Sequence, residues 1–365
     1  MKKIYQIALT LIPGIGDIKA KHLLNAFPDV EELFKESEQG LKHIFGKNIS
    51  AINAIKSSVP ISRAEQELAF AEKNNIQVLF YNDPEYPSRL KRSDCPDSPV
   101  VLYYKGNIDL NMSKIISIVG TRNASEYGKE MTDKFVQALS SENILIVSGL
   151  AYGIDIHAHK AALQNNLSTV AVLAHGLDRI YPSLHTKVAT QMLENGGLLT
   201  DYMSGTRPDA GNFPSRNRII AGLADATLVV EASKKGGALI TSELANSYNR
   251  DVFAVPGDLQ KSTSEGCNHL IKTNKASLVQ SIDDIYYILG WDKQKTEKTV
   301  QKNLFPTLTE NENVIYRYLL ENKESSIDEL LANTNLSLPK IAAALLSMEL
   351  QNILKCLPGK VYKLM

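Results

Sequence analysis

Glycines, arginines and small polar residues recur in this sequence at one kind of place, directly after short apolar runs. Gly120-Thr121-Arg122-Asn123-Ala124-Ser125 follows Ile115–Val119, and Ser148-Gly149-Leu150-Ala151-Tyr152-Gly153-Ile154-Asp155 follows Ile144–Val147. Thr169–Leu173 leads to His175-Gly176-Leu177-Asp178, with Tyr181-Pro182 beyond. The segment Gly211-Asn212-Phe213-Pro214-Ser215-Arg216-Asn217-Arg218 reads as a loop before a helix at Ile219–Leu223. Lys234-Lys235-Gly236-Gly237-Ala238 follows Thr227–Val230, and Pro256-Gly257 closes Val252–Val255. Backbone amides approach a phosphate closely only where no Cβ intervenes. Guanidinium groups such as those of Arg122, Arg216 and Arg218 match phosphate oxygens with planar paired donors. Several such loops on one edge describe an anion-binding rim.

Other chemistries fit less well. Gly149-x-x-x-Gly153 lacks the dinucleotide GxGxxG spacing, and Gly128-Lys129 is followed by Glu130 where a phosphate-binding loop needs Ser or Thr. Asp155, His157 and His159 can be drawn as a metal cluster, but histidines two apart face different sides of a helix. Asp155 is read as a helix cap and His159 as a packed helical residue, so no metal and no cofactor are expected. Asp201 and Glu231, near strand ends, are read as orienting the arginines. Ser148 and Ser215 lack a G-x-S-x-G nucleophile elbow. No catalytic residue emerges. Phe213, set among arginines, and Tyr152, set among glycines, either brace their loops or stack on bases of a single strand.

The totals restrict the partners. The 365 residues carry 40 Lys+Arg against 40 Asp+Glu, so bulk basicity does not drive any binding of polyanions. A few local cations and backbone donors must do it. Cys95, Cys267 and Cys356 are scattered without metal spacing, which points to a reducing compartment, and no apolar run is long enough for a membrane span. A cytoplasmic protein is expected.

The elements that position the loops follow from periodicity. Apolar runs of strand length alternate with amphipathic stretches such as Met131–Leu139 and Leu239–Tyr248, the pattern of a parallel sheet covered on both faces. The expected fold class is α/β: an extended, Rossmann-like, doubly wound and mainly parallel sheet over residues 61–290. Ile76–Tyr81 and Val100–Tyr104 add strands before it. Residues 1–60 read as a small helical domain, where Pro13-Gly14-Ile15-Gly16 resembles a helix-hairpin-helix turn but reads more simply as a helix connection. Residues 291–304, with Lys293, Lys295, Lys298 and Lys302, read as a linker. In 305–365, helices at Glu310–Leu320, Ser326–Leu331 and Leu338–Leu350 and a closing strand at Val361–Leu364 describe a winged-helix-like domain.

Taken in order, these loops resemble the DprA/Smf family of DNA-processing proteins of natural transformation. The resemblance rests on Val119-Gly120-Thr121-Arg122, Ser148–Asp155, Phe213-Pro214-Ser215-Arg216-Asn217-Arg218-Ile219-Ile220-Ala221-Gly222 and Val255-Pro256-Gly257, with Asn82-Asp83-Pro84-Glu85-Tyr86-Pro87 similar to the family's lead-in. It covers about Arg63 to Leu289; outside it the likeness is one of architecture. It implies a homodimer that binds single-stranded DNA at the strand ends, protects it and loads the RecA recombinase, with no cofactor and no catalysis. By position it implies that Gly120 and Arg122, with Thr121 between them, and the amides of the Ser148–Gly153 loop, Gly149 included, meet phosphate. The resemblance further implies that Phe213 and Asn217 lie beside the strand and that Lys187 adds a cation; Arg216, Arg218, Gly236 and Gly237 are expected in the same rim from their chemistry. Two departures stand out: Ala210 occupies a position where the family commonly has lysine, with Arg207 as the nearest cation, and Gly236-Gly237 replaces a serine-glycine pair. The other reading is a nucleotide-acting enzyme of phosphoribohydrolase type, which needs Glu231 or Asp201 placed to act on a ribose.

Overall fold

Strands form where apolar residues run without interruption, because a strand covered on both faces buries every side chain. The computed structural model describes residues 2–291, 308–351 and 353–364. Its main sheet comprises β1 (Gln77–Phe80), β2 (Val101–Gly106), β3 (Ile115–Val119), β4 (Leu145–Ser148), β5 (Ser168–Val172), β6 (Gly196–Thr200), β7 (Ala226–Val229), β8 (Asp251–Ala254) and β9 (Ser277–Leu278). Their order is β1-β2-β6-β5-β4-β3-β7-β8-β9. β3 to β9 are parallel to their neighbours, whereas β1 pairs with β2, and β2 with β6, antiparallel. The chain winds from β3 to β6 in one direction and then returns to the other side of β3 with β7. That reversal opens a crevice beyond the carboxyl ends of β3 and β7.

Six helices precede the sheet: α1 (Lys2–Leu9), α2 (Asp17–Ala26), α3 (Val30–Lys35), α4 (Glu38–Phe45), α5 (Ile49–Lys56) and α6 (Val59–Lys73). The boundary expected at residue 60 falls inside α6. Pro60 sits in the first turn of α6, where its missing N–H costs nothing. Ala64 and Ala71 of α6 share one apolar core with Ile7, Leu33, Phe80, Val101 and Tyr103, so the helical module and the first strands pack as one unit. Asp17 ties α2 to the sheet domain: its carboxylate accepts from the Val100 amide at 3.0 Å and lies 3.2 Å from Arg218.

One face of the sheet is covered by α7 (Glu126–Leu139), α8 (Ile154–Gln164) and α9 (Thr186–Met192); α10 (Asn212–Leu223), α11 (Gly237–Ser247) and α12 (Glu265–Lys272) cover the other. α13 (Ile282–Leu289) packs beside α7. Residues alternate between the two cores along each strand: Val119, Val147 and Val172 face α10 and α11, while Ile118, Ile146 and Val230 face α7 and α8. The linker expected at 291–304 lies, except for Trp291, outside the described residues.

The last unit contains α14 (Glu310–Asn322), β10 (Glu324–Ser326), α15 (Ile327–Asn333), α16 (Leu338–Leu350), β11 (Leu354–Leu357) and β12 (Val361–Leu364), with a sheet of order β10-β12-β11. Thr309 with Glu312 and Ser326 with Glu329 form capping boxes that start α14 and α15. Three helices and a terminal hairpin make this a winged helix. It touches the sheet domain through Arg92, which donates to the Pro358 and Gly359 carbonyls, and Ser93, 3.1 Å from the Asp328 carboxylate. No helix among the described residues is long and apolar enough to cross a membrane.

Candidate functional site

The crevice at the sheet reversal is a cleft of about 500 Å³. The segment after β3 forms one wall with Gly120, Thr121, Arg122 and Asn123. Ala151 and Asp155 add the floor, and α10 and the Ser233–Thr241 segment at the start of α11 form the far side. The glycines are needed to close these loops on one another. Gly153 has φ +76°, and a Cβ there would stand 2.1 Å from the Thr121 carbonyl oxygen and 2.6 Å from that of Arg122. A Cβ on Gly120 would stand 2.4 Å from the Ile154 side chain. The Ile154 amide donates to the Thr121 carbonyl at 3.1 Å, and the Thr121 amide donates to the Glu231 carbonyl at 2.7 Å.

This closure uses up several donors that the sequence offered to a ligand. The Thr121 amide is taken by the Glu231 carbonyl, while the Thr121 hydroxyl only accepts, from the Asn123 amide at 3.2 Å, and keeps its own proton to donate. Ser148 is fully buried; its hydroxyl donates to the Ile118 carbonyl at 2.6 Å and also supports the Asp155 carboxylate, so it is committed to internal partners. The backbone amides of Ala151 and Gly149 support the Asp155 carboxylate, which lies inside α8 while Gly153 takes the cap position. Burial still raises the Asp155 carboxyl above its ordinary range, against the Arg216 charge and these amides.

The arginine-rich segment differs most from expectation. α10 begins at Asn212, so Phe213, Pro214, Arg216, Asn217 and Arg218 are helical and not in a loop. Pro214 belongs to the first turn, where an amide has no intrahelical acceptor to lose. A helix turns its residues in different directions, and the two arginines therefore part. Arg216 points inward, 3% exposed, and donates to the Gly149 carbonyl at 2.8 Å and to the Val172 carbonyl. Burial lowers its guanidinium to about 10, so it stays charged at neutral pH. It lines the cleft floor as a strut between α10 and the strand ends. Arg218 points away from the cleft, to Asp201 at 2.5 Å, Asp17 at 3.2 Å and the Asp97 carbonyl. Burial disfavours its charge, but Asp201 and Asp17 outweigh that and raise it. Lys187, in the first turn of α9, is exposed and does not line the cleft.

Arg122 and Phe213 remain at the mouth. Arg122 is exposed, has no carboxylate partner among the described residues, and holds its guanidinium carbon 5.4 Å from the centre of the Phe213 ring. Asn217 bridges helices: its amide nitrogen donates to the Gly237 carbonyl at 3.4 Å and its oxygen accepts from Arg216 at 3.3 Å. Gly236 and Gly237, both exposed, open α11 without a side-chain cap; the Leu239 amide donates to the Gly236 carbonyl at 3.2 Å, and the residues carrying the other first-turn amides, Gly237 and Ala238, line the cleft. Ala210 presents only a methyl group to this wall; Arg207 is exposed outside the lining.

The acidic candidates are committed elsewhere. Glu231 accepts from the Ser125 amide at 2.9 Å and the Ser125 hydroxyl at 2.7 Å, so it anchors the start of α7 and orients no arginine. Asp201 pairs with Arg218, as expected of an orienting carboxylate. His157 reaches Asp133 at 2.9 Å while buried His159 reaches Thr169 at 2.7 Å; the two rings diverge. Lys235, Asn123, Ser233 and Thr241 also line the cleft. Of these, only Lys235 had a sequence signal, a lysine pair directly before two glycines.

Comparison with known proteins places this architecture. The family model described as DNA recombination-mediator protein A matches residues 77–290, and that of the DprA winged helix domain matches 306–360. The chain is similar to DNA processing protein DprA of Streptococcus pneumoniae, 44% identical over 70% of this chain and 96% of the relative. It is also similar to protein Smf of Synechocystis sp., 34% identical over 98% of each chain. Among solved structures, DprA of Streptococcus pneumoniae superposes with a TM-score of 0.67 at 35% identity, covering 79% of this chain and 98% of that one. DNA processing protein A of Helicobacter pylori superposes at 0.53 and 31%, covering 60% and 96%. The sheet and the winged helix are thus those of a known lineage, and the chain belongs to the DNA recombination-mediator protein A (DprA/Smf) family.

Proposed function

We propose that this chain binds single-stranded DNA in the cleft beyond β3 and β7, without catalysis, and passes it as a homodimer to a RecA-type recombinase. The observation that carries the reading is Arg122: an exposed guanidinium without a carboxylate partner among the described residues, stacked on Phe213, opposite the uncapped start of α11. A cation, backbone amides and an aromatic face together suit a phosphate with its neighbouring base. The Helicobacter pylori relative is described by its single-stranded DNA binding mode, which supports the same ligand here. Exposed Leu278, Tyr287 and Ile288 at the β9 end of the sheet support self-association. The nucleotide-enzyme reading loses support because Glu231 and Asp201 already have short hydrogen bonds.

Few cations line the cleft, so affinity should fall with salt along a shallow line. Each neutralised phosphate of a single strand contributes a slope of about −0.7 in log K against log salt. Two to three contacts predict a slope of about −1.4 to −2.1 for oligo-dT, with matched duplex bound more weakly. A salt-independent affinity would remove phosphate recognition by this cleft, and equal affinity for duplex would remove the single-strand preference. Stimulation of recombinase assembly on single strands tests the second half of the proposal.

A further inference from the structure

Phe213 is the inner end of an aromatic step that leaves the cleft. The ring of Tyr181 lies 6.1 Å from that of Phe213, tilted by 56°, and Tyr181 is 46% exposed. A tyrosine that exposed is not a core residue, and its loop is held in place from three sides. The Gly176 amide donates to the Thr206 carbonyl at 3.2 Å. The Gly205 amide donates to the Asp178 carboxylate at 2.9 Å. Asn212, the first residue of α10, donates from its side chain to the Ala174 carbonyl at 3.2 Å. The loop between β5 and α9 is therefore pinned to the segment that presents Phe213, and the open face of Tyr181 is preorganised.

Resting on the reading of the cleft as a single-strand site, we propose that Tyr181 is a second stacking platform, which takes the base next to the one beside Phe213. Arg122, Phe213 and Tyr181 then form a row over the carboxyl edge of the sheet, from the β3 end toward the β5 end. The strand leaves the cleft along that row, across the sheet, and not over α11. Arg207 is exposed on the segment that pins the loop and offers its charge to the backbone as it passes. Stacking is indifferent to base identity, because every base has a π-face.

The chain has a single tryptophan, Trp291, which packs near Lys114 at the amino end of β3, across the sheet from the cleft. Tyr181→Trp in a Trp291→Phe background therefore places one reporter on the proposed platform. Titration with oligo-dT should quench that indole, and wild-type Trp291 emission should stay constant. Tyr181→Ala should weaken oligo-dT binding about fivefold or more, the effect expected for one lost base stack, and Tyr181→Phe should stay within about twofold. An unquenched indole with full affinity in Tyr181→Ala, while Arg122→Ala still loses binding, overturns the platform and leaves the cleft reading intact. Undiminished binding in Arg122→Ala as well would instead show that the cleft reading itself has failed.

Discussion

Arg216 shows how far a residue's chemistry depends on the direction of its side chain. Its type suits phosphate, but its guanidinium is spent on the Gly149 and Val172 carbonyls and lies close to Asp155. Removing it leaves two buried acceptors without a donor and a buried carboxylate without its cation. Arg216→Met should therefore cost on the order of 3 kcal/mol, seen as a lower urea midpoint. An unchanged midpoint with lost DNA binding would make it a ligand residue instead. His159 gives a pH signature. Burial lowers its imidazole to about 3, and burial lowers His175 as well. An unfolded histidine takes up its proton near 6.5 and the folded one refuses it, so stability is full above that pH and drains away as pH falls toward 3. Asp155, raised by burial, slopes the other way, so the informative quantity is a difference. His159→Asn, which keeps a polar partner for Thr169, should melt at a temperature less sensitive to pH between 7 and 5 than wild type does. Parallel melting curves would mean that His159 titrates normally.

At the scale of elements, the site is made by loops that close on each other. Gly153 and Gly236 separate the two uses of glycine. Gly153 has positive φ and no room for a Cβ beside Thr121 and Arg122, whereas a Cβ on Gly236 would meet nothing within 4 Å. Gly153→Ala should cost more than about 1 kcal/mol and displace Arg122, lowering both melting temperature and affinity. Gly236→Ala should leave the melting temperature unchanged. Equal effects of the two substitutions would refute the division. The same elements show what could be read from the chain beforehand. The strand at Ile144–Val147 is legible because an unbroken apolar run with β-branched residues suits a sheet buried on both faces, and Ile115–Val119 is legible despite Ser117. β9, two residues long, has no such run. Pro214 and Gly211, as turn residues, suggest a helix that starts only after Arg218, yet a proline in the first turn of a helix is unobjectionable, and α10 starts at Asn212. Once that start moves to Asn212, Arg216 and Arg218 must point apart, and no spacing rule applied to a loop can anticipate it. The Ser148 hydroxyl and Thr121 amide were lost to internal partners for a similar reason: sequence shows donors and not their acceptors.

Across the whole molecule, neutrality and a cleft lined, among the described residues, by only Arg122, Arg216 and Lys235 as cations fit a protein that holds a strand locally and does not coat it. The helical module shares its core with β1 and β2, and Asp17 binds Arg218, so the module braces the outer surface of α10 while the cleft lies on its inner side. The winged helix meets the sheet domain near Arg92 and Ser93, away from the cleft lining. On the proposed site, binding and architecture are separable, and Arg122 is the residue whose replacement tests that separation. The decisive measurement is fluorescence anisotropy of labelled oligo-dT with wild type and Arg122→Ala, the variant first shown to melt at the wild-type temperature. Loss of a charge-assisted phosphate contact predicts affinity weaker by about 1–3 kcal/mol with the fold intact. Equal affinity of the two proteins would contradict the account, because no strand would then be held at the mouth of this cleft.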